Sequence, residues 1–229
     1  MVKKILVVSL GGSLIVPDEI DLSLLEKFKA ILEKHKSKYK FVIVCGGGSV
    51  ARKYIQALSQ AKKSCYLQSL AGISVTRLNA RFLSYFFSQD SKKGIPHDMS
   101  RVKNLLEKND FVFCGALRYA PNQTSDSTAA RLAHFLNCEF VNLTLVSGLY
   151  TSNPLTHKNA KFIPKISWQD FKKKTLKLKF HPGQHFVLDQ HASGVILENK
   201  IPTYILGKDL KQLDNFLSNR KFKGTIIRG

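Results

Sequence analysis

The chain has 229 residues, 44% of them hydrophobic, enough for one large α/β core or two lobes sharing a sheet. Lys and Arg number 36 against 16 Asp and Glu, a net charge of +20, which suits polyanionic partners such as nucleotides or nucleic acid. No apolar run is long enough to cross a membrane as a helix. The opening MVKKILVVSL runs straight into Gly11-Gly12, so it reads as a buried strand rather than a leader peptide. A cytoplasmic protein is expected.

Strands and helices alternate along the chain. Residues 5–10 read as a strand. Residues 22–35 read as a helix, with Leu24, Leu25, Phe28, Ile31 and Leu32 on one face and Asp21 as N-cap. A strand is expected at 41–45, a helix at 49–60 opening on glycines, and a long helix at 74–87. A strand at 111–113 follows, then a helix at 125–136 with a small-residue face of Ala129, Ala130 and Ala133, and a strand at 139–142. The last elements are a helix at 187–198, a strand at 203–206, a helix at 211–217 and a strand at 225–227. Segments 88–100 and 152–183 are the least regular and read as loops. This alternation implies a mainly parallel sheet covered on both faces. Ligands of such sheets bind beyond the C-terminal strand ends.

Three segments there have the makings of phosphate sites: Gly11-Gly12-Ser13, Gly46-Gly47-Gly48 with Arg52 one helical turn on, and Thr124-Ser125-Asp126 at a helix start. Bare backbone N–H groups at a helix N-terminus attract anions, and a guanidinium adds charge. The first segment lacks the lysine of a P-loop, and no G-x-G-x-x-G turn occurs. The lysines are scattered through every predicted helix, with one denser group at Lys172, Lys173, Lys174, Lys177 and Lys179. No nucleic-acid reading motif accompanies them, so nucleic acid is not the expected partner. Cys45, Cys65, Cys114 and Cys138 form no C-x-x-C pair and read as buried, reduced thiols. His181, His185 and His191 read as loop histidines rather than a metal set, because Pro182-Gly183 breaks any helix between the first two.

Taken in order, SLGGSLIVP (9–17), VCGGGSVARKYI (44–55), AGISVTRLNA (71–80), NQTSDSTAARLAHFL (122–136), LTLVSGLYTSNP (143–154), LDQHASGVILENKIPTYILGKD (188–209) and GTII (224–227) span essentially the whole chain. In this order they resemble the archaeal-type uridylate kinases of the amino acid kinase family. The resemblance implies a three-layer α/β/α sandwich in one domain, residues 1–229. An acceptor lobe at about 1–138 would precede an ATP lobe at about 139–229. It implies transfer of the ATP γ-phosphate to UMP with Mg²⁺, in pyrimidine nucleotide synthesis, by a homo-oligomer, commonly a hexamer. Position by position, Gly11, Gly12, Ser13, Gly48 and Arg52 match ATP-phosphate contacts. Thr144, Leu145, Tyr150 and Asn153 fall where the adenosine part is held. Gly47, Ser69 and the loop Tyr119, Ala120, Pro121, Asn122, Gln123, Thr124 and Ser125 match the UMP side. Asp126 and Arg52 take the catalytic roles, Asp126 by ordering the groups around Mg²⁺ and the phosphates. No protein metal cage is expected.

The chain departs from the pattern in several places. Ser69 or Leu70 stands where the family holds the UMP ribose with Asp, and Leu145 and Ser147 replace Asn and Asp. Asn153 replaces another Asp, and the loop at 115–126 is longer by two residues. Many relatives have a strand-one lysine where Ser9 stands here; Lys208 is the candidate to supply that charge. Two alternatives remain: a kinase of this fold acting on another acceptor, and a nucleotide-binding sensor without turnover.

Overall fold

The computed structural model describes residues 2–89, 94–121, 123–176 and 188–229. The first half runs β1 (Lys4–Leu10), α1 (Gly12–Ile15), α2 (Leu22–His35), β2 (Tyr39–Cys45), α3 (Gly48–Gln60), α4 (Cys65–Phe86), α5 (Met99–Lys108), β3 (Phe111–Cys114) and α6 (Ser125–Phe135). The second runs β4 (Glu139–Leu143), β5 (Leu149–Tyr150), β6 (Phe162–Ile163), β7 (Lys165–Ile166), α7 (Trp168–Leu176), α8 (Gln190–Glu198), β8 (Thr203–Leu206), α9 (Lys211–Leu217) and β9 (Thr225–Ile227).

Seven strands form one sheet in the order β3-β2-β1-β4-β8-β9-β7. All neighbours are parallel except β8 and β9. The central strands are buried on both faces, which is why they read as unbroken apolar runs such as Phe41-Val42-Ile43-Val44. Helices flank the sheet: α6 packs on β1, β2 and β4 and against α8, while α4 and α5 cover β2 and β3. The result is the expected three-layer α/β/α architecture. Phe28, Phe41, Phe140 and Phe171 are fully buried, each contributing about 1.5–3 kcal/mol of apolar burial. On the outside, Asp214 of α9 ties α2 to α9 through Lys34 and His35, at 2.9 and 2.8 Å. Those contacts hold the Asp214 carboxyl down at about 2.

The Asp21 cap stands as expected, accepting from the Leu24 amide at 3.0 Å. Four expectations are corrected. The helix expected at 74–87 begins nine residues earlier, at Cys65, capped by Ser64. Gly72 inside it serves helix packing: a Cβ there would sit 3.2 Å from Ile55 of α3. The segment 152–183 holds β6, β7 and α7, and α7 is opened by a reciprocal cap between Ser167 and Asp170. The helix expected at 187–198 starts at Gln190; residue 187 lies outside the described residues. Cysteine burial holds for Cys45 and Cys114, but Cys65 is exposed at the start of α4 and Cys138 is intermediate. In the lysine-rich α7, Lys172 and Lys174 donate to the carbonyls of Gln190 and Thr151 at 2.9 and 3.0 Å. Lys177, Lys179, His181 and His185 lie outside the described residues.

Candidate active site

The cleft lies where β1 and β2 end. The strands are in parallel register, Leu10 beside Cys45, so their two glycine loops emerge side by side. The Gly46 amide donates to Leu10 and the Gly11 amide to Leu143, both at 2.9 Å. A Cβ on Gly12 would lie 1.9 Å from the Gly48 nitrogen, so only glycine allows the two loops to meet. Gly48 has φ +66°, a left-handed conformation. It begins α3 with no side-chain cap, and the Ser49 amide in the first turn donates to the Val16 carbonyl at 3.2 Å. Asn79 of α4 fixes the second loop by donating to the Gly46 carbonyl at 2.8 Å.

Arg52 projects from the first turns of α3 and donates to the Ser13 hydroxyl at 3.3 Å. Partial burial lowers its pKa, while Asp18 opposes the shift. Across the cleft, Thr124 caps α6 and accepts from the Asp126 amide at 3.1 Å. Ser9, from the middle layer, donates to Asp126 at 2.7 Å. Asp126 is partly exposed, yet its carboxyl is enclosed by protein. Burial first, and the Asp189 charge second, push that carboxyl up to about 7, against the Ser9 hydrogen bond. A carboxyl with this environment is ionised only near neutrality and above.

The roof is the loop after β3. Arg77 of α4 donates to the carbonyls of Ala116, at 3.1 Å, and Leu117. Thr76 accepts from the Ala116 amide at 3.0 Å. Beyond this anchor Arg118 and Tyr119 reach the cleft, the Tyr119 ring meeting Tyr66 edge-on at 4.8 Å.

The cleft has a volume of about 230 Å³. It brings together Gly11, Gly12, Ser13, Gly47, Gly48, Arg52, Ser69, Tyr119, Ala120, Gln123, Thr124, Ser125, Asp126, Thr144 and Leu145. Pro121, Tyr150 and Asn153 are not among its lining residues. The Tyr150 ring packs on Phe162 at 5.4 Å, and the Asn153 side chain accepts from the Leu155 amide in an exposed turn. Asn122 lies outside the described residues. Lys208 lines a separate surface groove with Asp21, Lys27 and Lys211, so it does not stand in for a strand-one lysine. Sequence reading missed Thr76, Asn79, Arg77 and Asp189; Asp189 lies 62 and 65 residues from the hydroxyls it holds, and only the fold pairs them.

A glycine floor, a helix N-terminus, a guanidinium and a buried carboxyl converging beyond parallel strand ends can hold phosphates in line for transfer. This fold and site define a class: the chain belongs to the amino acid kinase family, whose pattern matches residues 4–207. Within it the chain is similar to proteins named uridylate kinase. That of Pyrococcus abyssi is 31% identical over 97% of this chain and 98% of its own length. That of Thermococcus sibiricus is 30% identical, again over 97% and 98%. The uridylate kinase structure from Archaeoglobus fulgidus superposes with a TM-score of 0.81 at 28% identity, covering 97% of this chain and 99% of that one.

Proposed function

We propose that the protein is a UMP kinase, a phosphotransferase that moves the ATP γ-phosphate to UMP and gives UDP and ADP, in a cytoplasmic pyrimidine nucleotide pathway. The observation that carries this reading is the convergence of two glycine loops, Arg52 and Asp126 from distant segments on one cleft, in a chain similar over nearly its whole length to uridylate kinases. UMP already offers an ionised phosphate oxygen as nucleophile. The site therefore needs positioning and charge stabilisation rather than a strong base.

Gly11, Gly12, Ser13 and Gly48 cradle the ATP phosphates, with Arg52 spanning toward the transferred group. Gly47, Ser69, Tyr119, Ala120, Gln123, Thr124 and Ser125 enclose UMP. Thr144 and Leu145 hold the adenosine at the cleft edge, continued by Tyr150 and Asn153. In this reading the acceptor lobe is residues 1–138 and the ATP lobe 139–229. Among the described residues no group of three or more His, Cys, Asp or Glu could hold a metal ion by itself. The oxygen-bearing side chains among the cleft's described residues, such as Ser13, Thr124 and Asp126, suit a hard ion. Asp126 would order the groups around a Mg²⁺ ion brought in with the ATP phosphates, an ion that would supply neutralisation of their charge. The excess positive charge raises the local concentration of nucleotide. Tyr54, Leu67, Leu78 and Tyr85 leave large apolar surface exposed on α3 and α4. That supports a homo-oligomer, expected as a hexamer, which light scattering tests.

The decisive assay couples ADP release to each nucleoside monophosphate, with ATP and Mg²⁺. Turnover on UMP, cut sharply in Asp126→Asn, is expected. No turnover on any monophosphate, with UMP or ATP still raising the melting temperature, would leave a binding protein and overturn the proposal.

A further inference from the structure

Asp189 is 3% exposed and sits at the back of the cleft, where the N-termini of α6 and α8 meet. It caps α8 by accepting from the Ala192 amide at 2.7 Å. Its two oxygens also accept from the Ser127 hydroxyl, at 2.9 and 3.0 Å, and one accepts from the Thr124 hydroxyl. That same Thr124 oxygen accepts from the Asp126 amide. A continuous chain of hydrogen bonds therefore runs from Asp189 through Thr124 to the backbone of Asp126, whose carboxyl is held from the other side by Ser9.

Helix capping alone does not account for this residue. The Asp189 charge helps to push the enclosed Asp126 carboxyl up, and among the described residues neither carboxyl is ion-paired, in a chain carrying 36 cationic side chains. Like charges at such a place destabilise the fold. A capping asparagine would supply the same acceptor for Ala192 without the repulsion. What the carboxylate adds is a second acceptor oxygen, so that one side chain grips both hydroxyls flanking the corner at 124–127.

We propose that Asp189 is a positioning residue for phosphoryl transfer: by gripping Thr124 and Ser127 it sets the α6 corner and so the place of Asp126 in the cleft. The inference rests on the UMP kinase reading for its kinetic consequence. Asp189→Asn keeps size and cap but turns one acceptor oxygen into a donor facing hydroxyl donors. It lowers kcat by about ten- to a hundredfold, with KM for UMP and ATP within about twofold, since the nucleotide contacts remain.

The test compares kcat and KM of the wild type, Asp189→Asn, Asp126→Asn and the double variant, with hydrogen exchange at the Asp126 amide in each. A kcat loss in Asp189→Asn that disappears in the Asp126→Asn background shows that one residue acts through the other. Wild-type kcat in a folded Asp189→Asn, or an equal loss in both backgrounds, overturns the proposal. Should the wild type phosphorylate no monophosphate, the kinase reading fails and the exchange decides alone. Faster exchange confined to the first turn of α6 supports the positioning role, and unchanged exchange overturns it. If Asp189→Asn does not fold, Ser127→Ala enters the same comparison under the same criteria. Ser127 is fully buried, touches Asp189 and does not line the cleft.

Discussion

The floor and the roof of the cleft are built on different principles. The floor is backbone against backbone: two glycine loops from adjacent strands interlock so closely that no side chain fits between them. The roof, at 116–121 and 123–124, is irregular chain held in place by side chains from elsewhere, namely Arg77, Thr76 and Asp189. Geometry fixed by strand register cannot drift without moving the sheet, whereas geometry fixed by a few hydrogen bonds can be retuned one residue at a time. The glycine floor of the cleft is thus rigid and the roof adjustable.

Breaking the floor carries the largest effect. Gly12→Ala places a methyl 1.9 Å from the Gly48 nitrogen. Loss of measurable turnover is expected, with destabilisation of about 1–3 kcal/mol or more in urea unfolding. Stable, active Gly12→Ala protein would show that the loops separate freely.

Asp126 tests chemistry without sterics. Asp126→Asn is expected to lose on the order of a hundredfold in kcat. With its carboxyl pushed up to about 7, the wild-type kcat/KM should fall as pH drops below that value. The stability sign is opposite. The folded protein holds a proton on Asp126 that the unfolded chain releases at ordinary carboxylate pH, so between about 4 and 7 stability declines as pH rises. Asp126→Asn should therefore melt higher than wild type at pH 8, on the order of 2–4 °C, with little difference at pH 4. A lower melting point at pH 8 would contradict the buried, unpaired carboxyl.

The roof should respond more gently. Arg77→Ala frees the carbonyls of Ala116 and Leu117; KM for UMP is expected to rise about tenfold, with the melting temperature hardly changed. An effect on KM for ATP instead would place this loop over the wrong substrate. Tyr150→Ala is expected to raise KM for ATP by about two- to tenfold, and an unchanged value would assign Tyr150 solely to its contact with Phe162. The smallest effect lies outside the cleft. Asp214, held at about 2 by Lys34 and His35, stabilises the fold above ordinary carboxylate pH. That contribution disappears as pH falls from about 4 to 2, and solvent screening limits it to about 1 kcal/mol. Asp214→Asn would show it as a flattened acid-unfolding curve.

The same division governs what could be read in the sequence. The floor was legible because Gly46-Gly47-Gly48, directly after an apolar strand, costs backbone entropy that only a close backbone approach repays. Helix α2 was legible because its apolar face and Asp21 cap agree. The early start of α4 was not read, and the Gly72 it contains is explained only by the approach of Ile55 from another helix. The hairpin strands β5 and β6 have two residues each, too few to show a period. Asp189 fell inside the helix expected at 187–198 and carried no signal of its own, since the Ser127 hydroxyl it holds lies on a helix 62 residues away in sequence. Local chemistry betrays elements and loops, but residues that work through long-range hydroxyl contacts emerge only once the layers are stacked.

The uneven fate of the four cysteines has a practical side. Burial pushes the Cys45 thiol well up, and those of Cys114 and Cys138 to about 12, so none of the three offers much thiolate near neutral pH. Cys65 alone is exposed, one residue before Tyr66, whose ring touches Tyr119 at the mouth of the cleft. Cys65 is thus an exposed attachment point beside the roof of the cleft. A maleimide fluorophore placed there, with no engineered cysteine, would report on nucleotide entering the cleft.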